Sequence, residues 1–167
     1  VTDIVAEDSL SAAERAERGS YAGCIAGALS FAEYERGLLA AGMIDVRQHI
    51  TNGYSGRYPL DPTAVIGIAI HHSVSGGHFY DELPDTQDDE IFHLRVIDQY
   101  HINQGWGGFG YHLAAFPSGR WYYCGDLTGA RAHVASRNYE LIGVVLIGDF
   151  SANVPPLLQM ERGDLER

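Results

Sequence analysis

The pattern of apolar and polar positions changes character near residue 50. Before that point, "EDSLSAAERAER" at 7–18 is polar and helix-prone. "SFAEYERGLLAAGMIDV" at 30–46 predicts a helix that Ser30 caps, with Glu33 where a capping box needs it and Gly42 as the stop, followed by a short strand around Ile44 to Val46. After that point the spacing alternates between strand and helix. "AVIGIAI" is a continuous apolar run, which predicts a central strand covered on both faces, and it ends on the adjacent His71 and His72. Thr86 and Asp89 predict the start of a helix over about 87–103, with Ile91, Leu94, Ile97, Tyr100 and Ile102 at a 3-to-4 spacing until "NQGWGGFG" ends it. "YHLAAF", a "PSGR" turn and "WYYCG" predict a hairpin, and "LIGVVLIGDF" a second buried strand.

These elements predict an α/β fold, a mixed central β-sheet with helices packed on it, in which 65–70 and 141–148 share one sheet. Residues 1–50 are read as an N-terminal helical appendage, "TNGYSGRYPLDPT" at 51–63 as a linker of turn-forming residues, and 64–167 as the main domain.

Charge narrows the partners. The 167 residues carry 11 basic and 22 acidic side chains, a formal charge of −11, and every basic residue is arginine. Such a surface repels phosphate backbones, so nucleic acid is not an expected partner. No apolar run reaches the roughly 20 residues that span a bilayer, so a soluble chain with no membrane span is expected. Acids occupy the N-terminus where a secretory signal would place positive charge, so no signal peptide is visible. Cys24 and Cys124 are too few for a disulfide framework and wrongly spaced for a zinc knuckle. The acidic run "DELPDTQDDE" at 81–90 is read as the solvated approach to the long helix, with Asp88, Asp89 and Glu90 favourable near its N-terminus.

The histidines carry the candidate chemistry. His71 and His72 end one strand, His112 begins the hairpin, and His133 lies in "GARAHVASRN" before the last strand, so adjacent strands would bring the four to one edge of the sheet. Imidazole is a common metal ligand, and a catalytic zinc takes three protein donors with an open position for water. There is no HExxH helix, so a site must be assembled from separate strands.

Four stretches, "IAIHHSVS", "IDQYHINQGWGGFGYHLAAFPSGRWYYCGD", "GARAHVASRN" and "IGVVLIGDF", in that order over about residues 64–150, resemble the zinc-dependent type-2 N-acetylmuramoyl-L-alanine amidases, the superfamily of phage-lysozyme amidases and peptidoglycan recognition proteins. The resemblance implies a peptidoglycan hydrolase that cuts the amide between N-acetylmuramic acid and L-alanine by zinc-activated water, or a module that binds the muramyl peptide without cutting it. It implies action outside the cell or at the wall. It assigns the metal to His71, the catalytic hydroxyl to Tyr111 of the "GYH" motif, and substrate contacts to His133, His112, His72 and Trp106, with Phe109, Trp121 and Tyr122 as further aromatic contacts; Asn138 is expected to order its loop.

The family's remaining two ligands come from a "GHRDV"-like stretch and a later cysteine or aspartate, and no histidine follows His133. The domain is therefore read as lacking its C-terminal ligand segment, with weak zinc binding and with His133 or His72 as the candidate substitute donors. Residues 18–47, around "YAGCIAGALSFAEYERGLLAAGMIDV", resemble the closing segment of arsenite-methylating methyltransferases, although nothing upstream offers a glycine-rich turn for a methyl donor.

Overall fold

The computed structural model describes residues 8–11, 13–15, 29–53, 59–60, 64–73, 86–148 and 150. Helix α1, Phe31–Ala40, begins as predicted. The Ser30 hydroxyl accepts from the Glu33 N–H while the Glu33 carboxylate accepts from the Ser30 N–H, satisfying two of the free donors of a helix start. Strand β1, Ile44–Asp45, follows Gly42, whose φ of +97° turns the chain out of the helix. Strand β2, Gly67–His72, comes next in the described chain, then helix α2, Gln87–Asn103, capped by Thr86, whose hydroxyl accepts from the Asp89 N–H. Strands β3, Leu113–Ala115, and β4, Trp121–Tyr123, form the predicted hairpin, and β5, Leu141–Leu146, follows.

The five strands form one mixed sheet in the order β1-β4-β3-β5-β2. Only β3 and β4 run antiparallel; β2 with β5, β3 with β5 and β1 with β4 are parallel. Residues 65–70 and 141–148 thus share a sheet, with Ile68 opposite Ile142 and His71 opposite Val145. Leu94 of α2 packs with Val145, Ala114 and Tyr122 on one face, joined by Val46, Ile50, Phe109, Phe116, Cys124 and Ile147. Ala115, Leu146, Trp121 and Phe150 gather on the other.

Three expectations change. β2 lies at the sheet edge, and Ile66, Ile68 and Ile70 are 55%, 65% and 68% exposed among the described residues, so its apolar run does not mark a strand covered on both faces. The residues before the linker are not all outside the main domain: β1 pairs in the sheet, and Val46 and Ile50 are buried in its core. Thr51 and Asn52, read as linker, are tied down, the Thr51 N–H donating to the Asp98 carboxylate at 2.8 Å and Asn52 bridging to Gly108.

The buried stripe of α2 is also more polar than its periodicity suggests. Glu90, His93, Leu94, Asp98 and His101 are buried, while Tyr100 is 60% exposed. Glu90, expected to be solvated, is fully buried. It accepts from the Ser118 hydroxyl at 2.5 Å, the Arg120 Nε at 2.7 Å and the Tyr122 hydroxyl, tying the helix start to the hairpin turn. Residues 7, 12 and 16–28, including Cys24, and residues 81–85 of the acidic run lie outside the described residues.

Candidate functional site

Strand alternation separates the two adjacent histidines. In register, His71 shares a face with Val145 and Ala114, the face that packs against α2, whereas His72 shares the opposite face with Leu146 and Ala115. His72 Nδ1 accepts from the Phe150 N–H at 3.1 Å, and its ring packs edge-on to Phe150. His72 is therefore not part of the cluster around His71, because neighbouring strand residues point to opposite faces.

Around His71 the chain assembles Tyr111 and His133. The rings of His71 and Tyr111 lie 5.3 Å apart, those of His71 and His133 5.5 Å, and those of Tyr111 and His133 6.4 Å. His71 Nε2 and His133 Nδ1 face each other at 3.4 Å. The His133 ring is set from two sides: Nε2 lies 3.1 Å from the Leu141 carbonyl, and the Asn138 side-chain oxygen accepts from the His133 and Val134 N–H groups. Asn138 thus has the loop-ordering role expected of it. The ring also needs Gly143 beneath it, since a Cβ there would come within 2.7 to 2.9 Å of ring atoms.

Tyr111 is held by its loop. His101 Nδ1 accepts from the Gly110 N–H at 3.1 Å, and the His101 ring lies against Trp106, Phe109 and Tyr111, closest to Trp106 at 4.6 Å. From the far side, the buried Arg131 guanidinium donates to the Phe109 carbonyl at 3.0 Å and pairs with Asn52. Trp106, 41% exposed, is the aromatic of this loop that a ligand can reach, while Phe109 and Tyr122 are fully buried and Trp121 sits on the opposite face.

His112 is a correction. It is fully buried, its Nδ1 accepts from the Gly143 N–H at 2.9 Å, and its Nε2 lies 2.8 Å from the Gly129 carbonyl, which can only accept. Both ring nitrogens are committed to backbone. It joins β3 to β5 and to the loop before His133, and has no atom left for a substrate.

Burial sets the electrostatics. Desolvation pushes the pKa of His71 and His133 below the ordinary imidazole value, helped by the neighbouring histidine in each case, so both are neutral near pH 7. Desolvation raises that of Tyr111, which keeps its hydroxyl protonated and able to donate. The arrangement offers a phenolic donor and two neutral imidazoles on one side of the sheet.

Sequence reasoning reached His71, Tyr111, His133 and Asn138, and missed His101, Arg131 and Gly143. A glycine inside an apolar strand was the one readable signal, since it marks close approach by another group.

No family model matches the chain. Over 90 residues the chain is 29% identical to peptidoglycan-recognition protein LB of Drosophila melanogaster, a match taking in 53% of this chain and spanning only 37% of that protein. The fold superposes on peptidoglycan recognition protein LE, solved in complex with tracheal cytotoxin, a monomeric diaminopimelic acid-type peptidoglycan. The TM-score is 0.57 at 19% identity, over 75% of this chain and 68% of that one. It also superposes on PGRP-SA of Apis mellifera with a TM-score of 0.56 at 20% identity, over 74% and 68%. Among the described residues no helix is long and apolar enough to cross a membrane.

Proposed function

On the premise that this chain has the fold of the amidase and peptidoglycan-recognition superfamily, we propose that it acts on peptidoglycan, hydrolysing the amide between the lactyl group of N-acetylmuramic acid and the L-alanine of the stem peptide. The observation that carries the proposal is the Tyr111–His71–His133 cluster, which stands where the resembling motifs converge. In this reading the protonated Tyr111 hydroxyl donates to the amide carbonyl oxygen as it gains charge, so the bond strengthens on the way to the tetrahedral intermediate. His133 orients the amide, and the exposed Trp106 offers an apolar platform to the sugar or peptide.

A zinc ion would supply the attacking hydroxide. The three-donor set that a catalytic zinc requires does not fit here, because among the described residues no group of three or more His, Cys, Asp or Glu is placed to hold a metal. That observation favours a second reading, retention of the muramyl peptide without cleavage.

Two measurements on purified peptidoglycan separate the readings: binding, and release of stem peptides with a free L-alanine amine in zinc-supplemented buffer. Binding with release supports hydrolysis; binding alone supports retention; neither rejects both. If hydrolysis occurs, Tyr111→Phe is expected to lower turnover about 100-fold, roughly 3 kcal/mol, with little change in peptidoglycan binding. Near-normal turnover in that variant would reduce Tyr111 to a packing residue.

A further inference from the structure

The side of α2 turned away from the Tyr111–His71–His133 cluster carries a cleft of its own. His101 brings the helix to Tyr111, and Phe92 stands about two and a half turns earlier, so its side chain leaves the helix from the opposite face. The cleft there has a volume of about 470 Å³ and is lined by Phe92, Arg95, Asp98 and Gln99 of the helix and by Gln48 and Thr51 from the segment after β1. Gln48, Thr51, Phe92, Arg95 and Gln99 are exposed, whereas Asp98 is only 6% exposed. Its Oδ2 accepts from the Thr51 N–H at 2.8 Å, and its Oδ1 is shielded from solvent with no hydrogen-bond donor among the described residues. A buried carboxylate oxygen without a donor costs free energy that a bound donor would recover.

The lining narrows what that donor is. Arg95 already brings positive charge to the cleft, which disfavours an ammonium group, and Asp98 disfavours an anion. A neutral hydroxyl meets Oδ1 without either conflict. The Phe92 ring, 65% exposed, offers an apolar plane. Gln99 Nε2 donates to Asn103 at 3.1 Å, which leaves its carbonyl oxygen for a further donor, while Gln48 and Arg95 supply amide and guanidinium N–H groups. An apolar plane beside planar polar side chains suits a pyranose ring, which has C–H faces and a rim of hydroxyls. We propose that this cleft is a saccharide site for a neutral mono- or disaccharide, with a sugar hydroxyl donating to Asp98 Oδ1 and a C–H face lying on Phe92. The exposed Phe92 and Arg95 side chains turn aside to admit the hydroxyl. The saccharide site stands apart from the hydrolysis proposed above. Its assignment to the glycan strand of peptidoglycan rests on that reading and gives the chain a second grip on the polymer, away from the cluster.

The test adds chitobiose, a neutral disaccharide of N-acetylglucosamine, to the full chain. In the wild type it is expected to bind with a dissociation constant of about 1 mM, to shift the backbone amide signals of Thr51 and Gln99, and to give Overhauser contacts between sugar C–H protons and the Phe92 ring. Phe92→Ala removes an exposed side chain, so the fold is expected to persist while chitobiose binding weakens about tenfold. Asp98→Asn can keep the Thr51 bond through its amide oxygen but puts an N–H donor in place of the charged acceptor, and is expected to weaken binding about tenfold or more. Wild-type protein with no shifts at about 10 mM chitobiose, shifts confined to Trp106 and Tyr111, or unchanged affinity in Phe92→Ala overturns the site. The spectra are read on unaltered protein, so a variant that fails to fold does not shelter the proposal. Insoluble peptidoglycan then tests the source of the sugar. Weaker retention of Phe92→Ala supports the glycan strand, and equal retention of the two proteins overturns that assignment. If peptidoglycan is neither bound nor cut while chitobiose still contacts Phe92, the function proposed above fails and the saccharide site stands.

Discussion

Glu90→Ala is expected to lower the unfolding free energy by about 3–5 kcal/mol, the usual cost of removing one partner from a buried ion pair. The carboxylate has no exposed surface and gathers the Arg120 guanidinium and the Ser118 and Tyr122 hydroxyls. Without it, the Tyr122 hydroxyl is left in the core without its acceptor, and an unmet polar group there costs about 1–3 kcal/mol by itself. The Arg120 side chain, 32% exposed, can turn towards water and limits the total. For a chain of this size the loss corresponds to a fall of roughly 10 °C in midpoint temperature. Tyr122→Phe, which leaves Glu90 with Arg120 and Ser118, is expected to cost about 1 kcal/mol. Urea unfolding of the three proteins measures both. A Glu90→Ala variant within 1 kcal/mol of the wild type would mean that the hairpin does not depend on this carboxylate.

Acidification is expected to unfold the protein as pH falls through the range just above the ordinary carboxylate pKa values. Burial lowers the pKa of His93 and His101 to about 4 and that of His112 to about 3, from an ordinary value of 6.5. All three side chains are at least 95% buried, at 5%, 5% and 0% exposure. Because the folded values are depressed, these histidines take up protons on unfolding. Their penalty is absent above about pH 6.5 and grows as pH falls from there towards the folded values. Each contributes a slope of about 1.4 kcal/mol per pH unit, so together they remove about 4 kcal/mol per unit between roughly pH 6 and pH 4.5. A domain with an ordinary stability of about 5–15 kcal/mol then unfolds between roughly pH 5 and pH 4. Urea unfolding at half-unit steps reads the slope, which should correspond to close to three protons taken up near pH 5.5. A slope below one proton in that window would show that the buried histidines titrate normally.

The stretches that were legible in the sequence share a physical feature: their determinants are local. The capping box of Ser30 and Glu33 and the Thr86 cap use donors three residues away, so sequence spacing alone specifies the helix starts. The hairpin around Ser118 and Gly119 is a turn signal between two apolar runs, and it formed as read. His71, Tyr111 and His133 were legible for a different reason, as members of ordered motifs that resemble those of a known superfamily, and the chain shares its fold with solved structures of peptidoglycan recognition proteins.

What the sequence could not specify is which residues are neighbours across the sheet. "AVIGIAI" fixes a strand but not its place, and only the strand order puts β2 at the edge with its isoleucines outward. His71 and His72 look equivalent as a pair, yet pleating sends them to opposite faces, one beside Tyr111 and the other beside Phe150. His112 reads like a site residue and is a buried backbone tie, while Glu90 reads like a solvated helix start and is an ion pair inside the fold. A buried polar side chain is stable only if its partners come to it, and Arg120 and Tyr122 stand some thirty positions along the chain from Glu90. The facing nitrogens of His71 and His133, 62 residues apart, belong to the same class. The sequence determined the elements and the chemical groups they carry, and the tertiary structure decided which groups meet, because long-range pairing depends on strand order and register that no local pattern encodes.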